Sequence, residues 1–158
     1  MKIVLLALVA GLAGACDSEV QDRTPPPQAP AIGPQPIPAP PDVAAVPADA
    51  TKTASGLAFK ILKPGAGTIH PKPTDIPVVH YTGWKTNGEM FDSSVAKGRP
   101  LDQYRLEQLI EGWIEGMQLM VIGEKRRFWI PENLAYKGRS PEGMLVFDIE
   151  LLDIKPGR

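Results

Sequence analysis

Cysteine and histidine are scarce in this sequence, which has one cysteine, Cys16, and two histidines, His70 and His80. A single cysteine cannot form a disulfide within the chain. These three residues alone also cannot supply the four ligands of a structural zinc site. No acidic segment has the spacing of a calcium-binding loop. We therefore expect no bound metal and no cofactor.

The sequence also lacks the residue patterns of common catalytic sites. It contains no Gly-x-Ser-x-Gly nucleophile turn, no His-Glu-x-x-His pair and no glycine-rich phosphate loop. Its acidic residues are scattered along the sequence, so nothing specific supports a carboxylate pair of the kind that hydrolyses glycosides. An enzyme built from this chain needs a reaction without a nucleophile, a metal or a cofactor, and rotation about a peptide bond is such a reaction.

No excess of one charge marks the sequence, since 17 lysine and arginine residues nearly balance 18 aspartate and glutamate residues. The densest positive cluster is Lys125-Arg126-Arg127, inside a segment that is predicted to form a strand. We interpret this cluster as a solvated strand edge rather than a phosphate-binding patch. We therefore expect no nucleic-acid partner.

The N-terminal segment resembles an export signal. Lys2 is followed by an apolar stretch over residues 3–15, which is shorter than the roughly 20 residues of a membrane span and suits a signal peptide. Residues 12–16, Leu-Ala-Gly-Ala-Cys, resemble a bacterial lipoprotein processing site. That resemblance implies removal of residues 1–15 and a lipid on Cys16 that anchors the protein to a membrane of the bacterial envelope, facing the periplasm. Ordinary cleavage after Ala15, which yields a soluble exported protein, is the alternative.

A proline-rich segment follows the cysteine. Ten of the 18 prolines lie between Pro25 and Pro47. Proline fixes φ and removes a backbone donor, and few large apolar side chains are present to offset the entropy of ordering. We therefore predict a disordered tether over residues 16–51. A single folded domain is predicted over residues 52–158, which is long enough to form its own core.

Hydrophobic periodicity in this domain predicts several strands and one helix. The predicted strands cover residues 57–62, 78–84, 104–106, 126–130 and 145–152, and Asn87-Gly88 predicts a hairpin turn. Apolar residues recur at spacings of three and four from Ile110 to Met120, which predicts a helix that Gly123 ends. The pattern predicts an α+β domain in which an antiparallel sheet wraps around one short helix.

Several sequence blocks resemble motifs of the FKBP-type peptidyl-prolyl isomerase family, and they occur in the family's order. The blocks are residues 78–83, 91–94, 108–113, 130–131, 134–136 and 145–152. Any one block alone is a weak match, but the ordered set is specific and extends over almost the whole predicted domain. The resemblance implies a strongly curved antiparallel β-sheet around one short α-helix. It also implies a peptidyl-prolyl cis-trans isomerase that acts on proline-containing segments of exported polypeptides.

The same resemblance implies a pocket for the substrate proline. Its expected catalytic residues are Tyr81, Asp92 and Tyr136. Its expected substrate-binding residues are Phe91, Leu101, Leu109, Ile110, Trp113 and Phe147. Trp113 would form the floor, the Ile110 backbone N–H and the Tyr136 hydroxyl would bind substrate carbonyls, and Tyr81 would orient Asp92. Without the resemblance, Trp113 would be interpreted as a core residue and Asp92 as the cap of a turn.

Three features depart from the family pattern. Leu101 occupies a position where well-studied members have an aromatic residue, and Lys97 occupies a position where many have arginine. The segment between Tyr136 and Phe147 is shorter than the corresponding flap in better-known members, which predicts weak binding of macrolide inhibitors. These departures leave a second hypothesis open, in which the pocket binds proline segments as a chaperone or adaptor without catalysis. No sequence feature indicates an oligomer, so we expect a monomer.

Overall fold

The computed structural model describes residues 35–157, so the expected signal peptide, Cys16 and the first part of the tether lie outside the described residues. The described residues form one six-stranded sheet with the strand order β1-β2-β5-β6-β3-β4. The strands are β1 (Thr51–Lys52), β2 (Ala58–Lys63), β3 (Ile76–Lys85), β4 (Met90–Ser93), β5 (Lys125–Ile130) and β6 (Leu145–Lys155). One α-helix, α1 (Glu111–Gln118), and two 3₁₀ turns, Leu106–Gln108 and Glu132–Leu134, complete the described elements.

Every pair of neighbouring strands is antiparallel. The period of two in β6 places Phe147 and Ile149 on the inner face of the sheet, in the core that includes α1, and Val146 on the outer face. The hairpin predicted at Asn87-Gly88 joins β3 to β4. The predicted α+β fold, an antiparallel sheet around one short helix, is confirmed.

Helix α1 packs closely against the inner face of β5. Trp113, Gly116 and Met117 of the helix are buried. A Cβ atom at Gly116 would lie 2.7 Å from the Phe128 ring, so a larger residue would push the helix away. The predicted end of the helix was wrong, because α1 ends at Gln118. Gly123, with φ +85°, instead forms the turn that leads into β5.

The strand predicted at residues 104–106 does not form. Leu106 begins a 3₁₀ turn and is fully buried. Its backbone N–H donates to the Asp75 carbonyl at 2.8 Å. The N–H group is therefore satisfied by a loop carbonyl and needs no partner strand. Bridge pairing occurs instead at Leu101, which exchanges hydrogen bonds with Val79.

A segment expected to belong to the tether packs on the outer face of the sheet. This segment, residues 35–50, is called the strap here. Val43 of the strap is 9% exposed and lies in an apolar cluster with Trp84 and Trp129. The Trp84 Nε1 donates to the Ile37 carbonyl at 2.9 Å, and the Trp129 Nε1 donates to the Asp42 carbonyl at 3.0 Å. The prediction of a disordered tether as far as residue 51 is therefore wrong for residues 35–51. The two tryptophans on the outer face provide an apolar surface, which the strap covers, and two indole donors, which bind carbonyl groups of the strap.

The cluster at residues 125–127 is not a strand edge, because β5 lies between β2 and β6. The Arg126 guanidinium is buried, where it pairs with Glu124 at 2.8 Å and donates to the Leu119 carbonyl at the end of α1. On the opposite face, Arg127 pairs with Asp148 and with Asp42 of the strap, each at 2.6 Å. The charges of Arg126 and Arg127 therefore stabilise the fold through ion pairs and hydrogen bonds and do not form a solvated surface.

Candidate active site

An aromatic pocket opens between α1 and the inner face of the sheet. The rings of Tyr81 and Trp113 meet edge to face with centroids 5.1 Å apart, and those of Trp113 and Phe147 do so at 5.3 Å. Phe91 meets Phe147 edge to face at 5.4 Å. Such contacts match the electron-rich face of one ring with the electropositive edge of the next, so they hold the walls in fixed orientations.

The pocket has a volume of about 250 Å³. It is lined by Tyr81, Phe91, Asp92, Leu101, Tyr104, Gln108, Leu109, Ile110, Trp113, Tyr136 and Phe147. The structure therefore brings together all nine site residues that were proposed within the folded domain, and Cys16 lies outside the described residues. A space of this size accommodates a proline ring with its flanking amides, and its lining is mostly apolar, as small-molecule sites usually are.

Trp113 forms the floor of the pocket. Its side chain is anchored on α1 and is 5% exposed. Its indole Nε1 is buried and has no hydrogen-bond partner among the residues that the structure describes. A buried donor without a partner is costly, and most native structures avoid it. The Trp113 indole N–H is therefore a buried donor that the described residues leave unsatisfied.

Asp92, in β4, is held by three donors. The Tyr81 hydroxyl donates to Oδ2 at 2.6 Å, while Lys97 Nζ and the Ser93 backbone N–H donate to Oδ1. Burial raises the pKa of Asp92, but the hydrogen bonds from Lys97 and Tyr81 outweigh it and hold the pKa below its ordinary value. The carboxylate is therefore ionised at neutral pH and fixed in orientation.

Two donors at the pocket have no acceptor within residues 35–157. These are the Tyr136 hydroxyl, on a side chain that is 36% exposed, and the backbone N–H of Ile110, which immediately precedes α1. Burial, and secondarily the charge of Asp92, raises the pKa of Tyr136, while burial and the hydrogen bond to Asp92 raise that of Tyr81. Both hydroxyls therefore keep their protons at neutral pH. The site can donate two hydrogen bonds to a ligand with two carbonyl groups.

Sequence reasoning missed three contributors to this site. Tyr104 and Gln108 line the pocket, although Tyr104 was assigned to a strand. Gly83 lies beneath the walls, and a Cβ atom there would lie 2.7 Å from both Phe91 and Phe147. The signal for Gly83 was present, because a glycine inside a strand pattern often marks a close approach of other groups.

No residue between Tyr136 and Phe147 lines the pocket, so the part of the chain expected to act as a flap leaves it uncovered.

Within residues 35–157, no group of three or more histidine, cysteine or acidic side chains is placed to hold a metal ion. The same range contains no helix that is long and apolar enough to cross a membrane.

Comparison with known proteins identifies the family. The family model described as FKBP-type peptidyl-prolyl cis-trans isomerase matches residues 67–152, the range that contains every pocket residue. This chain belongs to the FKBP-type peptidyl-prolyl cis-trans isomerase family. The FKBP isomerase FkpA of Aeromonas hydrophila is 49% identical over 108 residues, which are 65% of this chain and 40% of that protein.

Solved structures of similar proteins have the same fold. The crystal structure of FkpA from Escherichia coli has a TM-score of 0.65 and 38% identity, covering 69% of this chain and 53% of that one. A peptidyl-prolyl cis-trans isomerase from Pseudomonas syringae pv. tomato has a TM-score of 0.60 and 33% identity, covering 67% and 80%. The chain spans less than half the length of the Aeromonas FKBP, so the likeness concerns the FKBP domain and not the whole relative.

Proposed function

We propose that this protein is an active peptidyl-prolyl cis-trans isomerase that accelerates folding of exported polypeptides. The proposal is carried by one observation, the pair of unused donors, Tyr136 hydroxyl and Ile110 N–H, beside an aromatic pocket floored by Trp113. The proposal is also supported by membership of the FKBP family and by the similarity of this chain to a relative named as an FKBP-type isomerase. The substrate is an X–Pro segment whose proline ring occupies the pocket.

The mechanism follows from amide resonance. An X–Pro bond rotates over a barrier of about 20 kcal/mol, because the planar amide is stabilised by charge separation between oxygen and nitrogen. The twisted transition state loses that charge separation. The free-energy cost of moving it from water into an apolar pocket is therefore lower than the cost of moving the planar ground state. A turnover near 10³ per second requires removal of about 7 kcal/mol, at about 1.4 kcal/mol per tenfold acceleration.

Each polar residue has a distinct role in this scheme. The Ile110 N–H and the Tyr136 hydroxyl bind substrate carbonyl groups and hold the chain in the twisted geometry. Tyr81 fixes the orientation of Asp92, whose ionised carboxylate supplies a field on one side of the amide. No bond to the protein forms, and the protein transfers no proton.

A peptide assay tests the proposal. The isomerisation of a Leu-Pro-Phe peptide is followed by coupled proteolysis with wild-type protein and with Trp113→Ala. We expect acceleration by the wild type at micromolar concentration and a loss of at least tenfold in Trp113→Ala. Absence of acceleration by correctly folded wild type would reject the enzymatic function.

One observation favours the second hypothesis, that the pocket binds proline segments without turnover. No flap residue lines the pocket, so a substrate is held from fewer sides than in an enclosed site. Tight binding of a proline peptide without acceleration of isomerisation would support this function. Because no flap residue covers the pocket, we also expect weak binding of macrolide inhibitors. We propose separately that the protein is a monomer.

We further propose that the protein is exported and anchored by a lipid on Cys16, with residues 1–15 removed as a signal peptide and residues 16–34 acting as the tether. The support is the sequence pattern around Cys16. A location facing the periplasm brings the FKBP domain close to newly exported chains. Cys16→Ser should move the protein from the membrane fraction to the soluble fraction, and an unchanged distribution would reject the lipid anchor.

A further inference from the structure

A second pocket lies beside the proline pocket and shares part of its wall. It has a volume of about 260 Å³, and Tyr81, Asp92, Leu101 and Tyr104 line both pockets. Lys97, Arg99 and Gln103 line the second pocket but not the first, and we call the second pocket the cationic pocket. The two pockets therefore adjoin, and one bound chain is able to contact both.

The loop that carries the cationic pocket is tied to β3 at both of its ends. At one end, the Ser94 N–H donates to the Tyr81 carbonyl at 3.0 Å. At the other, Leu101 and Val79 exchange two backbone hydrogen bonds, at 2.9 and 3.0 Å. Because these bonds satisfy the backbone without a ligand, the pocket is preformed and little ordering entropy is lost on binding.

The charges of the cationic pocket favour an anion. Its charged side chains are two cations, Lys97 and Arg99, and one carboxylate, Asp92. Lys97 forms an ion pair with Asp92, which balances those two charges. The guanidinium of Arg99 makes no ion pair or hydrogen bond with any residue in the described range, so its charge and its five donors are unused.

We propose that the cationic pocket is a specificity subsite for an aspartate or glutamate side chain close to the substrate proline. Arg99 is the residue that recognises the carboxylate, since a guanidinium binds carboxylates with two parallel hydrogen bonds. This inference rests on the proposed isomerase function, because it places the proline in the adjoining pocket. It selects, among X–Pro segments, those with an acidic neighbour.

Matched peptides test the subsite. At each of the two positions on either side of the proline, a glutamate peptide is compared with its glutamine counterpart, for kcat/KM by a protease-free assay and for Kd by tryptophan fluorescence. We expect glutamate to be favoured about two- to fivefold at one position or more, the size typical of an exposed ion pair. The preference should decrease as salt is added.

Variants assign the preference to Arg99. The glutamate-to-glutamine ratio should fall to one in Arg99→Gln and should fall below one in Arg99→Glu, because a carboxylate at position 99 repels the glutamate side chain. It should persist in Lys52→Gln, which removes an exposed charge from β1 at the opposite edge of the sheet. Using a ratio within each variant separates specificity from any general loss of activity.

Two results would overturn the subsite: equal values for glutamate and glutamine peptides at all four positions, or a preference that survives in Arg99→Gln. These results are distinguishable from failure of the isomerase function. If no peptide is isomerised but glutamate peptides still bind more tightly through Arg99, the subsite stands and the enzymatic function falls. If the parent peptide is isomerised without a glutamate preference, the reverse holds.

Discussion

The Tyr81 hydroxyl and the Asp92 carboxylate form a 2.6 Å hydrogen bond that joins β3 to β4 at the pocket wall. Tyr81 also contacts the Trp113 ring edge to face, so one side chain positions both the carboxylate and the floor. The orientation of Asp92 is therefore set by the same aromatic cluster that shapes the proline pocket. This coupling determines how substitutions at the site should behave.

Asp92→Val should lower kcat/KM by about tenfold. The substitution removes the charged acceptor of Tyr81 and Lys97, and a hydrogen bond to a charged group contributes roughly 1.5–3 kcal/mol. The measurement is the peptide isomerisation assay, with urea unfolding to show that the variant is folded. Asp102→Val is the matched control, because Asp102 pairs with Lys155 at the surface and does not line the pocket. Equal losses in both variants would contradict the role of Asp92.

Tyr136→Phe should lower kcat/KM by about three- to tenfold, which is about 1 kcal/mol for one neutral hydrogen bond. The Tyr136 hydroxyl has no partner within the described part of the chain, so its removal should leave the melting temperature unchanged. Peptide kinetics and thermal unfolding of the same samples check both statements. Wild-type kinetics in the variant would remove Tyr136 from the carbonyl-binding pair.

The activity should be independent of pH between about pH 5 and pH 9. The pKa of Asp92 lies below its ordinary value near 4, and those of Tyr81 and Tyr136 lie above theirs near 10, so none of the three titrates in this range. A protease-free assay in buffers of constant ionic strength measures the profile. An inflection within the range that Asp92→Asn abolishes would contradict the assignment.

The same depressed pKa makes stability depend on pH in one direction. A carboxylate whose pKa is lowered by folding stabilises the protein above its unfolded-state pKa, and this contribution is lost as pH falls through the folded value. The urea midpoint should therefore decrease below about pH 4. The urea midpoint of Asp92→Asn should decrease less over the same pH range than that of the wild type.

Removal of the strap should destabilise the domain. A chain that starts at residue 51 exposes Trp84 and Trp129 and leaves their indole N–H groups without the Ile37 and Asp42 carbonyls. We expect a loss of about 2–4 kcal/mol in the free energy of unfolding, from one or two buried apolar side chains and lost hydrogen bonds. A chain that starts at residue 35 is the control. Equal urea midpoints for the two chains would show that the strap does not contribute to stability.

Local sequence patterns were sufficient where the structure depends on local rules. Alternation in residues 145–152 predicted β6, the Asn87-Gly88 turn predicted the hairpin, and the ordered motifs indicated eight residues that line one pocket. They were insufficient at the helix end. There, Gly123 has the expected positive φ but lies in the turn before β5, where its N–H donates to the Leu151 carbonyl of β6 rather than to a carbonyl of α1.

By itself, the sequence determined the α+β class and most of the strands through its periodicity, and the order of its motifs indicated most of the pocket residues, because periodicity and motif order are properties of the chain. Only the tertiary structure decided the position of residues 35–50 and the cationic pocket. A proline-rich segment has no periodicity from which packing can be predicted. Its binding surface, formed by Trp84 and Trp129, exists only once β3 and β5 lie in the same sheet. Arg99 likewise becomes a neighbour of the proline pocket only when the loop after β4 is bonded back onto β3.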